Sequence, residues 1–95
     1  MYSVYILYSE KLQKFYIGFT GNFAKRLAFH NDLDRNDIWT RKGIPWIKYF
    51  EITDLSEYQA RGIERHIKRM KSKRYIENLS RYPEMIEKLK VRYSG

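Results

Sequence analysis

Tyr2-Ser3-Val4-Tyr5-Ile6-Leu7-Tyr8 and Phe15-Tyr16-Ile17-Gly18-Phe19-Thr20, separated by the mostly polar run Ser9 to Lys14, decide the fold. Both runs are rich in β-branched and aromatic residues and nearly continuous in hydrophobicity, the pattern of strands buried on two faces. A short turn-like spacer between two such runs predicts an antiparallel hairpin. Alternation puts Ser3, Tyr5 and Leu7 on one face of the first strand, and Tyr16, Gly18 and Thr20 on one face of the second. Whether the two phenols are cross-strand neighbours depends on the register, which the sequence leaves open.

Working outward, Gly21-Asn22 offers a helix start, and Phe23, Leu27 and His30 recur at helical spacing with Lys25 and Arg26 off that stripe. Asn31 to Gly43 is polar, with Asp32, Asp34 and Asp37 among basic residues, and reads as the longest loop. Pro45 to Ile52 reads as a third strand. Asp54 is expected to cap the longest helix, Leu55 to Lys71, with Ala60, Ile63, Ile67 and Met70 as its buried stripe. Ser72 interrupts or caps, a short helix follows over Lys73 to Leu79, and Pro83 starts a final amphipathic turn or two. The order β-β-α-β-α-α predicts an α/β fold, a small three-stranded antiparallel sheet flanked by helices. No linker or repeat divides the 95 residues, so one domain is expected, with a core over about 2–79 and a helical extension over 80–95.

The composition, 43% hydrophobic and 17% aromatic, supplies enough apolar area for a small core despite 32% charged residues. Absence of cysteine excludes a disulfide framework and any Cys-based zinc site, and it fits a reducing compartment. With no leader and no apolar run long enough to span a bilayer, a soluble cytoplasmic protein without a membrane partner is expected. A net charge of +8 points to a polyanionic partner: nucleic acid, an acidic membrane surface or an acidic protein. From Arg61 to Arg74 the cations Arg61, Arg65, Lys68, Arg69, Lys71, Lys73 and Arg74 surround the single acid Glu64.

Tyr5, Tyr16, Arg26, His30 and Glu64 are residue types suited to phosphodiester hydrolysis. That chemistry needs a group to activate water, positive charge for the phosphoryl oxygens, and often a divalent metal. A phenol can position or deprotonate water, although with an ordinary pKa near 10 it is a poor base unless cations lower it. Arg26 can bind phosphate through two donors at once, and His30 lies one helical turn beyond it. Glu64 can hold Mg²⁺, which accepts a single protein carboxylate and keeps its waters. Each residue also has an ordinary alternative. The tyrosines can be core packing, Arg26 a solvated helix residue and His30 a surface residue at a helix end. Glu64 can simply pair with Arg61 and Lys68, at i−3 and i+4. His30 and His66 lack the spacing and partners of a zinc motif.

Taken together, these residues resemble the GIY-YIG nuclease family. Ser3-Val4-Tyr5 stands for its first half-motif and Tyr16-Ile17-Gly18 for its second. The run from Tyr16 to Asn31 resembles the segment through the family's Arg and His. Lys42-Gly43-Ile44-Pro45-Trp46 and Tyr49-Phe50-Glu51 resemble the third strand of small stand-alone bacterial members, which are similar to the catalytic domain of the excinuclease C subunit. Ala60, Glu64, Ile67 and Lys68 match the helix with the metal-binding Glu. Ser3 replaces the family's first Gly, and Asn78 lies in the region of a late Asn that many members carry.

The resemblance implies a metal-dependent DNA endonuclease, using Mg²⁺ or Mn²⁺, structure-selective or weakly sequence-specific, in DNA repair or recombination. Tyr5 would orient or activate water, Tyr16 would support the site or contact phosphate, Arg26 would stabilise the phosphate and Glu64 would bind the metal. His30 would shuttle a proton or contact phosphate. Lys25, Arg41, Lys42, Arg61, Arg65, Lys68 and Lys71 are the expected nucleic-acid contacts. A repair or recombination protein partner is a further expectation. The competing readings are a non-catalytic nucleic-acid-binding module and a repair-protein adaptor on the same fold.

Overall fold

The structure, a computed structural model, describes residues 1–34 and 38–94. Of the loop acids, Asp37 lies outside those residues. The element order is β1 (Tyr2–Ser9), β2 (Lys14–Thr20), α1 (Phe23–His30), α2 (Ile38–Arg41), β3 (Trp46–Leu55), α3 (Glu57–Met70), α4 (Lys73–Arg81) and α5 (Pro83–Arg92). The strands form one antiparallel sheet in the order β2-β1-β3. This is the α/β arrangement expected from the sequence, with one added turn of helix, α2, inside the polar loop.

β1 is central in the sheet and packed on both faces, which is why its sequence is continuously apolar. Val4 and Ile6 pack on one side against Ile52, Leu55 and the α3 residues Ala60, Ile63 and Ile67. Tyr5 and Leu7 face the other side, with Tyr16, Trp46 and the α1 residues Phe23 and Leu27. The site therefore rises on the face that α1 covers, while the larger core lies beneath the opposite face.

Two local features depart from the sequence reading. Asp54 is not a helix cap. Tyr2 pairs with Leu55 and Val4 with Ile52, which leaves an extra residue on β3, and Asp54 takes φ 62° in that bulge. Aspartate tolerates the left-handed region better than most residues. Leu55 then ends the strand fully buried, and Ser56 caps α3. The Ser56 hydroxyl accepts from the Gln59 N–H, and the Gln59 side chain accepts from the Ser56 N–H, both at 3.1 Å. This reciprocal pair outcompetes Asp54 because it satisfies two donors at once. Met70 is 46% exposed rather than core, because α3 ends there and Lys71 turns the chain at φ 48°. α5 runs ten residues, longer than the expected turn or two, with Pro83 at its start. No helix among the described residues is long and apolar enough to cross a membrane.

Candidate active site

The register brings the two phenols to one face. Tyr5 pairs with Gly18 and Leu7 with Tyr16, so Tyr16 is the diagonal neighbour of Tyr5, within reach of an aromatic ring. Their ring centroids lie 6.3 Å apart with planes 24° from parallel. The Tyr5 phenol crosses directly over Gly18. A Cβ at that position would lie 2.5 Å from the phenol oxygen, so only glycine leaves the lane across β2 open.

α1 delivers two further groups. Asn22 caps it by accepting from the Lys25 N–H at 3.1 Å, which sets the helix phase so that Arg26 and His30 both look toward β1. His30 is only 1% exposed, which removes the alternative of a surface residue at the helix end. Its Nε2 lies 3.0 Å from the Tyr5 hydroxyl, and its ring is 4.6 Å from that of Tyr16. The aromatic wall draws this helix-end residue inward. Arg26 hydrogen-bonds the Tyr5 phenol, and its guanidinium rests 4.8 Å over the Phe29 ring.

Asn31 was not singled out by sequence reasoning, yet it fixes this corner. Its side-chain N–H donates to the Trp46 carbonyl at 2.9 Å, and its side-chain oxygen accepts from the Trp46 N–H at 2.6 Å. The amide thus acts as a one-residue strand partner, tying the end of α1 to the start of β3. Trp46 in turn donates its indole N–H to the Thr40 carbonyl at 2.6 Å. The available signal was an Asn directly after the helix-end His. Asn31→Ala is expected to cost about 2 kcal/mol, two partly buried hydrogen bonds at roughly 1 kcal/mol each, read from urea unfolding. Loosened packing of His30 would show as a shifted imidazole resonance.

Glu64 approaches from α3, with its side chain 19% exposed and paired to Lys68 at 3.3 Å. Arg61, the other partner offered by the sequence, instead pairs with Glu57 at 2.8 Å and lies over the Phe19 ring. The Glu64 carboxylate is near enough to oppose ionisation of Tyr5. The Tyr5 phenol is pushed above its ordinary pKa, chiefly by burial and further by Tyr16 and Glu64. The hydrogen bond and charge of Arg26 pull the other way and lose. The condition under which a phenol becomes a good base, cations outweighing burial, is therefore not met by the protein alone.

Direct contacts join Tyr5, Tyr16, Arg26 and His30, and Glu64 acts on Tyr5 electrostatically. Lys25, Arg41, Lys42, Arg61, Arg65, Lys68 and Lys71 are all exposed. Arg61 and Lys68 flank Glu64 on α3, three residues before it and four after, and Lys71 follows at the end of the helix. Among the described residues no group of three or more His, Asp or Glu could hold a metal. One hard carboxylate oxygen donor suits a hydrated divalent ion that shares oxygens with a phosphate. It does not suit an all-protein cage.

No curated protein and no solved structure matches the chain. The family model for the GIY-YIG catalytic domain matches residues 1–78, from the N-terminus into α4. With that match spanning the sheet, α1 and the helix of Glu64, the chain belongs to the GIY-YIG family of nuclease catalytic domains.

Proposed function

We propose that this protein is a metal-dependent DNA endonuclease, structure-selective or weakly sequence-specific, acting in DNA repair or recombination. The observation that carries the reading is the Tyr5 phenol, held over Gly18 between His30 and Arg26 on the side reached by the Glu64 carboxylate. In the tautomer with Nε2 unprotonated, His30 accepts the Tyr5 proton as Tyr5 takes one from the attacking water; the new P–O bond forms as the P–O bond to the leaving strand breaks, and the leaving oxygen takes a proton from solvent. This relay compensates for a phenol whose burial resists standing ionisation. Arg26 binds the scissile phosphate and stabilises its added charge in the transition state. Tyr16 holds the imidazole and lines the phosphate's approach. Glu64 would hold Mg²⁺ or Mn²⁺, which supplies charge neutralisation at the phosphoryl oxygens. The exposed cations Lys25, Arg41, Lys42, Arg61, Arg65, Lys68 and Lys71 contact backbone phosphates, giving affinity without sequence readout.

One observation favours a second reading. The Glu64–Lys68 pair at 3.3 Å gives Glu64 a structural partner, as in a binding module without turnover or an adaptor for a repair protein. The discriminating experiment is cleavage of end-labelled branched, flapped and linear DNA with Mg²⁺, with Mn²⁺ and with EDTA, comparing wild type with Glu64→Ala. The nuclease reading expects cleavage that EDTA abolishes, Mn²⁺ restores and Glu64→Ala loses. Equal residual cleavage by both proteins contradicts it. DNA binding that survives Glu64→Ala without metal dependence or turnover selects the binding module.

A further inference from the structure

On the opposite side of α3 from Glu64, α5 docks against α3 and α4. Tyr93 is the anchor: its ring lies over Gly62, where a Cβ would sit 2.5 Å from it, and its hydroxyl is 3.0 Å from His66 Nδ1. Beside this anchor is a cleft of about 220 Å³, lined by His66 of α3, Tyr75 of α4, and Met85, Lys88, Leu89 and Arg92 of α5. α5, which supplies four of the six lining residues, lies beyond residues 1–78 that match the family, and the cleft is separate from the candidate active site.

The lining divides by chemistry. Tyr75, Met85 and Leu89 form an apolar and aromatic wall, and the Tyr75 ring is 5.9 Å from that of His66. Lys88 and Arg92 supply positive charge, and no carboxylate lines the cleft. None of the ion pairs among the described residues takes Lys88, Arg92 or Arg69. Tyr93 occupies Nδ1 of His66, which leaves Nε2 for a ligand. A ring on the apolar side and a phosphate on the cationic side would satisfy both halves. We infer that the cleft between α3, α4 and α5 binds a nucleotide, with its phosphate held by Lys88 and Arg92 beside His66. The same group can come from a free mononucleotide or from the phosphorylated end of a DNA strand.

His66 is a built-in reporter. Burial, then Arg92, then Arg69 hold its pKa below the ordinary 6.5. The other charged or titratable groups that face it at this junction are Lys88, Tyr75 and Tyr93. A bound phosphate reverses that balance by favouring the imidazolium.

The experiment follows the His66 ring proton by NMR against pH, with the full chain at constant ionic strength. The additions are 2′-deoxyadenosine 5′-monophosphate, deoxyadenosine, or an octanucleotide with or without a 5′-phosphate. The monophosphate is expected to raise the His66 pKa by about one unit or more, while deoxyadenosine leaves it unchanged. A Lys88→Gln, Arg92→Gln double variant loses the rise while its other resonances hold their positions. Both cations are exposed, so this variant keeps the fold. Saturation at lower concentration by the 5′-phosphorylated octanucleotide than by the monophosphate assigns the ligand to a DNA end; the reverse order assigns it to free nucleotide. An unmoved His66 at millimolar monophosphate, a rise matched by chloride alone, or a rise that persists in the double variant overturns the inference. Cleavage activity plays no part in this readout.

Discussion

Tyr5→Phe is expected to lower the rate of DNA cleavage by about 10²–10⁴-fold, the range for a positioned proton-transfer group, while the sheet and its packing survive. The substitution keeps the ring that packs with Leu7, Trp46 and Tyr16 and removes only the oxygen. Lost with it are the hydrogen bond to His30 Nε2 at 3.0 Å and the one to Arg26. The expected stability cost is about 1–3 kcal/mol, that of leaving buried polar groups short of a partner. Single-turnover kinetics beside urea unfolding separate the two effects. There is also a signature in pH. Because the folded protein holds the Tyr5 proton more tightly than the unfolded chain does, its contribution to stability is complete below about pH 10 and is lost as pH rises through the folded pKa. Tyr5→Phe removes that part of the alkaline slope. A variant that retains full cleavage would assign Tyr5 to packing alone.

Gly18→Ala is the second large expectation, and it removes no ionisable group. The added Cβ would lie 2.5 Å from the Tyr5 oxygen and 2.6 Å from the ring carbon that bears it. One of them must move, and Tyr5 has little room, being 1% exposed and wedged between Tyr16, Phe23 and His30. Overpacking of this kind costs about 1–3 kcal/mol. Displacing the phenol by about 1 Å can cost roughly 10²-fold in rate. A thermal melt and the same cleavage assay would read both, and the Tyr5–His30 contact would be seen to lengthen in a structure of the variant. Undiminished cleavage by a folded Gly18→Ala protein would mean that the position of the Tyr5 oxygen is irrelevant to the reaction.

The strands were legible because a buried central strand needs a continuous apolar run, and Tyr2 to Tyr8 is one. The faces were legible from alternation. The register was not, because nothing in Ser9 to Lys14 dictates which residues pair; Gly18 carried the hint, since a glycine inside a strand marks a close approach. The start of α3 was misplaced by two residues because Asp54 and Ser56 both have acceptor side chains. A left-handed bulge residue and an N-cap look alike until pairing with β1 is known. The burial of His30 and the clamp of Asn31 are tertiary effects, fixed by rings and a backbone that lie far along the chain. Tyr5, Tyr16, Arg26 and Glu64 could be named from residue type and order. The balance of forces on the Tyr5 proton could not, since it depends on how deeply the ring is buried and how near Arg26 comes.

In the proposed reaction Glu64 and the Tyr5 cluster serve one phosphate. This is tested most directly by anomalous scattering from crystals of the protein soaked with Mn²⁺ and a short DNA duplex. A Mn²⁺ peak is expected on a Glu64 oxygen at about 2.1 Å, close to the usual length for a small hard divalent ion. A DNA phosphate is also expected to bridge that ion and Arg26, beside the Tyr5 hydroxyl. Mn²⁺ bound elsewhere on the chain, with the Glu64–Lys68 pair intact and the phosphate away from Arg26, would contradict it.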